Sequence, residues 1–281
     1  MKIAIVGANS FLSQVLLNKL VDSHSLIQVY HKKKDKLNKC ISSQQIDDFL
    51  KEKPIVDYVY FIASYINFDE KAESIHKIYK TNVALLKMIS DTFTNAKIIN
   101  TSSVSVYKNI NSVINEDTIL EPASSYGMSK LWAELIVKKH KSGGCNVRIS
   151  SIFGENMKMN TFLPIIIKQA IENNSIEIYG KGDRKQNYIH VNDVAEVLVK
   201  ALSLDKDYNL LAVGSKSYSN LEIANFIKEI LPKTKIVFFS KDTTPSFFYD
   251  NSKTNMILGL LPNTNFKEKL RNTILWIQKQ Y

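Results

Sequence analysis

Tyr126 and Lys130 stand four positions apart in Ser124-Ser125-Tyr126-Gly127-Met128-Ser129-Lys130, a segment that runs into a helical pattern. On a helix that spacing brings both side chains to one face, where an ammonium favours the ionised form of a phenol and makes it a usable acid or base. Upstream, the apolar Lys97-Ile98-Ile99-Asn100 leads into Thr101-Ser102-Ser103-Val104-Ser105-Val106-Tyr107. A hydroxyl at the carboxyl end of such a strand can hydrogen-bond a reacting carbonyl. Either feature alone is common; in this order, on these elements, each supports the other.

A redox carrier for that phenol has its own signature. The first apolar run ends in Gly7-Ala8-Asn9-Ser10-Phe11-Leu12-Ser13, just before a helix. Amides at a helix start hold a pyrophosphate, and glycine permits close approach. Only Gly7 of the three expected glycines is present, with Ser10 and Ser13 in the other places. The next strand ends in His31-Lys32-Lys33-Lys34, with no acid before Asp35. Cations there favour the 2′-phosphate of NADP(H), whereas an acid would favour NAD(H), which stays possible.

The elements needed to position these groups are legible as alternating apolar runs and amphipathic stretches, the pattern of a parallel sheet with crossover helices. Strands are expected over 2–6, 26–30, 56–62, 97–100 and 146–149, with a weak one near Cys40. Helices are expected over 11–21, 46–50, 72–93 and 125–141. Beyond them come a helix over 161–172, a strand over 176–179, and helices over 193–202, 220–231 and 267–279. The expected fold is α/β, a Rossmann doubly wound parallel sheet with a smaller C-terminal substrate-binding α/β portion. Residues 1–150 form the dinucleotide-binding domain and 151–281 mainly the substrate portion, with the segment near 189–204 returning to the Rossmann sheet.

Composition bounds the rest. No apolar run approaches the ~18 residues of a membrane span, and the start of the chain lacks a signal-peptide pattern, so a cytoplasmic protein without membrane insertion is expected. Two distant cysteines, Cys40 and Cys145, offer neither a disulfide framework nor a metal site. The net charge of +10 suits anionic ligands of any kind. The lysine-rich 31–36 stretch has no interleaved aromatics for base stacking, so no nucleic-acid partner is expected. Trp132 and Trp276 read as packing residues.

Taken together, these motifs resemble an extended short-chain dehydrogenase/reductase of the nucleotide-sugar epimerase and dehydratase superfamily. The resemblance extends through Val59-Tyr60-Phe61-Ile62-Ala63-Ser64, Thr81-Asn82-Val83, Arg148 to Gly154, Ile178-Tyr179-Gly180-Lys181-Gly182, Tyr188-Ile189-His190-Val191-Asn192-Asp193 and Asn251-Ser252-Lys253. It implies Tyr126 as acid/base, Lys130 as the group that lowers its pKa and holds the nicotinamide ribose, and Ser103 as the hydroxyl that orients the substrate oxygen. Cofactor contacts are then expected from Gly7, Asn9, Ser10, Phe11, Leu12, His31, Lys32, Lys33, Ala63, Ser64, Asn82 and Lys130. Substrate contacts are expected from Ser105, Ser151, Arg184 and Gln186, and the family suggests a homodimer.

Dehydratases of the group resemble one another in an Asp-Glu pair after the catalytic hydroxyl; Val104-Ser105 stands there instead, which disfavours elimination. Where relatives carry Arg-Asp before the aromatic-Ile-His-Val stretch, this chain has Gln186-Asn187, with Arg184 close by for a diphosphate. His190 reads as structural. The lysine run points to exchanging NADPH. The expected function is therefore an NADPH-dependent reductase of a nucleotide-activated keto-sugar, a 4-keto-6-deoxyhexose by analogy, in surface-polysaccharide sugar biosynthesis. The alternatives are a nucleotide-sugar epimerase with bound NAD, and a non-enzymatic NADP-sensing or scaffold protein.

Overall fold

Ile3, Ala4, Ile5 and Val6 are each at most 2% exposed, so the first strand is covered on both faces and sits inside a sheet wrapped by helices. The computed structural model describes residues 1–34, 36–108, 112–261 and 265–281. Seven strands form one sheet: β1 (Lys2–Val6), β2 (Ser25–Tyr30), β3 (Ser42–Gln45), β4 (Tyr58–Phe61), β5 (Lys97–Ser103), β6 (Gly144–Ile149) and β7 (Tyr208–Ala212). Their spatial order is β3-β2-β1-β4-β5-β6-β7, and every pair is parallel. The first six follow the order of doubly wound dinucleotide folds, so the chain is an α/β protein of Rossmann type.

The crossovers are α1 (Phe11–Leu20), α2 (Ile46–Glu52), α3 (Ala72–Ile78), α4 (Leu85–Thr92) and α5 (Ser125–Lys138). Phe49 of α2 stacks on Phe93 at 4.4 Å between ring centroids, closing one face of the core with Val59, Leu86 and Ile98. The single long helix expected over 72–93 is interrupted by a π-helical segment, Tyr79–Ala84. The third strand lies at Ser42–Gln45 rather than near Cys40, which is exposed in the preceding turn. Its Ser-Ser-Gln-Gln sequence has no apolar alternation because it is a solvated edge strand, held in register by Ile27↔Ser42. Strand β5 runs on through Thr101 and Ser102 to Ser103, all buried.

The chain folds into two compact units. The first comprises Met1–Asn109, Glu116–Ile149 and Val194–Ala212 and carries the whole seven-stranded sheet. The second comprises Ile110–Asn115, Ser150–Asp193 and Val213–Tyr281. In the second unit Lys185–His190 lies between Ser151–Phe153 and Ser217–Ser219, parallel to the former and antiparallel to the latter. Ser175–Tyr179 pairs with Lys235–Phe239. Helix Asn220–Ile230 opens with a reciprocal Ser219/Glu222 capping box. Phe266 of the helix Phe266–Gln278 stacks on Tyr218 at 4.2 Å. Among the described residues no helix is long and apolar enough to cross a membrane.

Candidate active site

The turn after β1 needs a residue without a Cβ. Gly7 has φ +93°, and a Cβ there would meet the Ala63 amide nitrogen at 2.5 Å. The serines in place of further glycines knit the turn together. Ser10 caps α1 by accepting from the Ser13 amide at 3.0 Å, and Ser13 Oγ donates to the Gly7 carbonyl at 2.9 Å. Phe11 is half-buried, whereas Leu12 is buried in the core at 4% exposure. The Leu12 side chain packs in the core, which leaves its backbone for the expected cofactor contact.

Asn9 ties this turn to the end of β2, its Nδ2 donating to the Lys33 carbonyl at 2.6 Å, while its Oδ1 is buried without a partner. His31, Lys32 and Lys33 are exposed there, and Asp35 lies outside the described residues.

The carboxyl ends of β4 and β5 supply the next groups. Tyr126 in the first turn of α5 is 6% exposed. Burial raises its phenol above the ordinary value, and the hydroxyls of Ser103 and Ser64 pull it back towards ionisation. Ser103 Oγ also donates to Ser105 Oγ at 3.1 Å, and Ser64 Oγ, though beside the phenol, is buried without a hydrogen bond of good geometry. Ala63 and Ser64 are half-buried, and the Ala63 amide donates to the Val6 carbonyl at 2.9 Å.

Lys130, one turn on, is 2% exposed, and its Nζ donates to the Thr101 carbonyl at 2.9 Å. Its Nζ stands 5.8 Å from the centre of the Tyr126 ring. Burial pushes the ammonium down to about 8, against the opposing pull of Glu134.

Glu134 continues the stripe 126, 130, 134 along α5, and the sequence reading passes over it. It accepts from Ser102 Oγ at 2.6 Å and from Arg148 Nε and Nη2 at 2.9 and 2.8 Å. Burial opposes the Arg148 charge, but Glu134 and the Tyr107 hydroxyl outweigh it and keep the guanidinium ionised. An acid one turn beyond a candidate lysine is a readable signal for this group.

Asn82, another expected cofactor contact, is engaged within the protein. It is fully buried in the π-helical segment, with Oδ1 accepting from the Tyr65 amide and Nδ2 donating to the Tyr65 carbonyl and Ser129 Oγ. Both amide protons are engaged, so it ties the loop after β4 to α5.

Among the substrate-side candidates, Ser105 is half-buried beside Ser103. In the second unit Ser151 is exposed, Arg184 Nε donates to the Pro245 carbonyl at 3.4 Å, and Gln186 Nε2 donates to Asn220 Oδ1 at 2.8 Å. Asn187 is buried and pairs with both backbone groups of Gly214, a structural use. His190 packs edge-on against Phe153 at 5.2 Å, and burial lowers its pKa. Trp276 is half-buried, but Trp132, expected to pack, is 54% exposed and meets the Tyr79 ring at 5.6 Å.

The Gly7 cradle, the N-terminus of α1 and the orphaned Asn9 Oδ1 and Ser64 Oγ fit a dinucleotide laid across the carboxyl ends of β1 and β4. The sequence model of the NAD dependent epimerase/dehydratase family matches residues 3–214. The uncharacterized UDP-glucose epimerase YtcB of Bacillus subtilis (strain 168) is 26% identical over 191 residues, 64% of this chain and 60% of its own length. The dTDP-4-dehydro-6-deoxyglucose reductase of Escherichia coli is 24% identical over 59% of this chain and 55% of its own. The chain thus spans about half to three fifths of the curated relatives it matches. The crystal structure of UDP-glucuronic acid 4-epimerase from Bacillus cereus, in complex with UDP-glucuronic acid and NAD, superposes with TM-score 0.89 at 21% identity, covering 100% of both chains.

Proposed function

The chain belongs to the NAD dependent epimerase/dehydratase family of short-chain dehydrogenase/reductase enzymes, and on that footing we propose that it epimerises a nucleotide-activated hexose. The observation that carries this reading is a buried acid/base, Tyr126, attended by Ser103, Ser64 and Lys130, with Val104 and Ser105 directly after Ser103 in place of further proton-moving acids. Oxidising one sugar carbon and reducing it again needs only one such group; elimination from a neighbouring carbon needs more.

The Tyr126 oxygen takes the proton of the sugar hydroxyl as the carbon–hydrogen bond breaks, and returns it when the carbonyl is reduced from the other face. A nicotinamide dinucleotide, when bound, supplies the acceptor and donor of that hydride. Ser103 hydrogen-bonds the sugar oxygen, and Lys130, charged at neutral pH, favours the phenolate and binds the ribose. Gly7, Asn9, Ser10 and Ser64 hold the dinucleotide. Ser151, Arg184 and Gln186 are the proposed contacts of the nucleotide-sugar. The B. cereus neighbour's UDP-glucuronic acid and NAD make a UDP-hexose and NAD the first pair to try. We place the enzyme in the cytoplasm, as a homodimer.

A second reading, reduction of a keto-sugar by NADPH, has its own support in the exposed His31, Lys32 and Lys33 after β2. The test is to denature the purified protein and identify any released dinucleotide, then to incubate it with UDP-hexoses and no added cofactor. Released NAD and conversion to the epimer are expected. Protein that emerges empty, and consumes NADPH with nucleotide-linked keto-sugars instead, would replace the first reading with the second.

A further inference from the structure

Residues 62–71, between β4 and α3, touch the first turn of α5 at two places besides the Asn82 link. The Glu70 carboxylate accepts from the Ser125 amide at 3.0 Å with one oxygen and from the Ser125 hydroxyl with the other. Two residues earlier, the Phe68 ring meets the Tyr126 ring edge-on at 5.4 Å between centroids.

A helix start leaves amides without intrahelical partners, and a carboxylate there is favoured by the dipole as well. Ser124 Oγ takes the Gly127 amide, so Ser124 and Glu70 together satisfy donors on both sides of Tyr126. Both Ser125 hydrogen bonds pull the Glu70 carboxyl below the ordinary range, so it stays ionised at neutral pH.

We propose that Glu70 is a positioning residue for the Tyr126 phenol, clamping Ser125 so that the turn carrying Tyr126 is fixed against the loop that carries Ser64 and Phe68. Glu70 touches no reacting atom. It acts by holding the phenol in the narrow range of positions that proton transfer tolerates, where small displacements cost large factors in rate. Nothing near Glu70 in the sequence announces the role, because its partner is 55 positions away.

The kinetic part of the test rests on the epimerase reading; the spectroscopic part does not. The full chain is labelled with 3-fluorotyrosine, and the Tyr126 signal is assigned by its loss in Tyr126→Phe. In Glu70→Ala the Tyr126 fluorine resonance is expected to shift or broaden while the other tyrosine resonances stay in place and the melting temperature changes little. With a UDP-hexose, kcat should fall about tenfold at unchanged KM once both Ser125 hydrogen bonds to Glu70 are gone and the phenol is less well placed. Glu70→Gln, whose amide oxygen still accepts from Ser125, should recover most of it. Glu70→Ala combined with Ser125→Ala should be no slower than Glu70→Ala alone. An unmoved Tyr126 resonance in Glu70→Ala overturns the proposal. If the wild-type chain converts no UDP-hexose, the epimerase reading fails and the fluorine spectrum alone still decides the role of Glu70.

Discussion

At the scale of single residues, the site sets two burial penalties against each other. Desolvation makes the Tyr126 phenol harder to ionise and the Lys130 ammonium easier to lose. Tyr126→Phe keeps the ring against Phe68 but removes the proton carrier, so turnover should drop by roughly 10²–10⁴ while dinucleotide affinity, read by NADH fluorescence, is retained. Lys130 makes a stability prediction. Its pKa in the fold is about 8, against an ordinary lysine value of 10.5. Between those values the unfolded chain binds a proton that the folded chain does not, so stability rises with pH across this window. Below pH 8 the cost of the buried ammonium is present in full, on the order of 3 kcal/mol. The unfolding free energy of wild type minus that of Lys130→Met should therefore be flat below about pH 8 and climb towards pH 10.5 in paired urea titrations. Parallel curves would show that the lysine titrates in the fold as it does in water.

At the scale of elements, α5 is the part whose placement decides whether those residues meet, and Gly127 fixes its depth. A Cβ at Gly127 would lie 2.4 Å from the Ser105 carbonyl oxygen and 2.9 Å from Pro122 Cβ. Alanine is the better helix former by about 1 kcal/mol, but the helix could accept it only by backing away from backbone. The clash wins: Gly127→Ala should lower the melting temperature and, by displacing the adjacent Tyr126, reduce kcat by about a hundredfold. A gain in both would mean that α5 is not seated where it is described. Most buried elements are legible in the sequence because their periodicity is strong: β1, β2, β5 and α5 fall within a few residues of expectation. What escapes has a physical reason in each case. Edge strand β3 is polar, and the π-helical segment leaves no mark on a helical hydrophobic pattern. Strand β7, Tyr-Asn-Leu-Leu-Ala, takes its place from parallel pairing with β6 far back in the chain. The Tyr126, Lys130 and Ser103 constellation is readable from local spacing. The contacts of Glu70 and the internal partners of Asn82 are not, since they depend on which distant group each side chain meets.

At the scale of the whole molecule, the face of α5 turned away from the sheet exposes a group of large apolar side chains to water. Met128, Trp132 and Leu135, at helical spacing, are 61%, 54% and 48% exposed, and Ile75 and Tyr79 add 39% and 46%. Fully burying an exposed side chain of this kind is worth about 1.5–3 kcal/mol, and these are about half covered already, so a second copy meeting the same face gains about half that from each of several side chains. Against this, each chain carries a net charge of +10, and two copies repel one another until salt screens them. The proposed dimer should therefore tighten as sodium chloride is raised, the opposite of an association held by ion pairs. Trp132→Glu puts a charge at the centre of the apolar face without touching Tyr126 or Lys130, and it should convert the protein to a monomer in sedimentation velocity at all salt concentrations. A wild-type chain that sediments as a monomer at micromolar concentration in high salt would rule this assembly out.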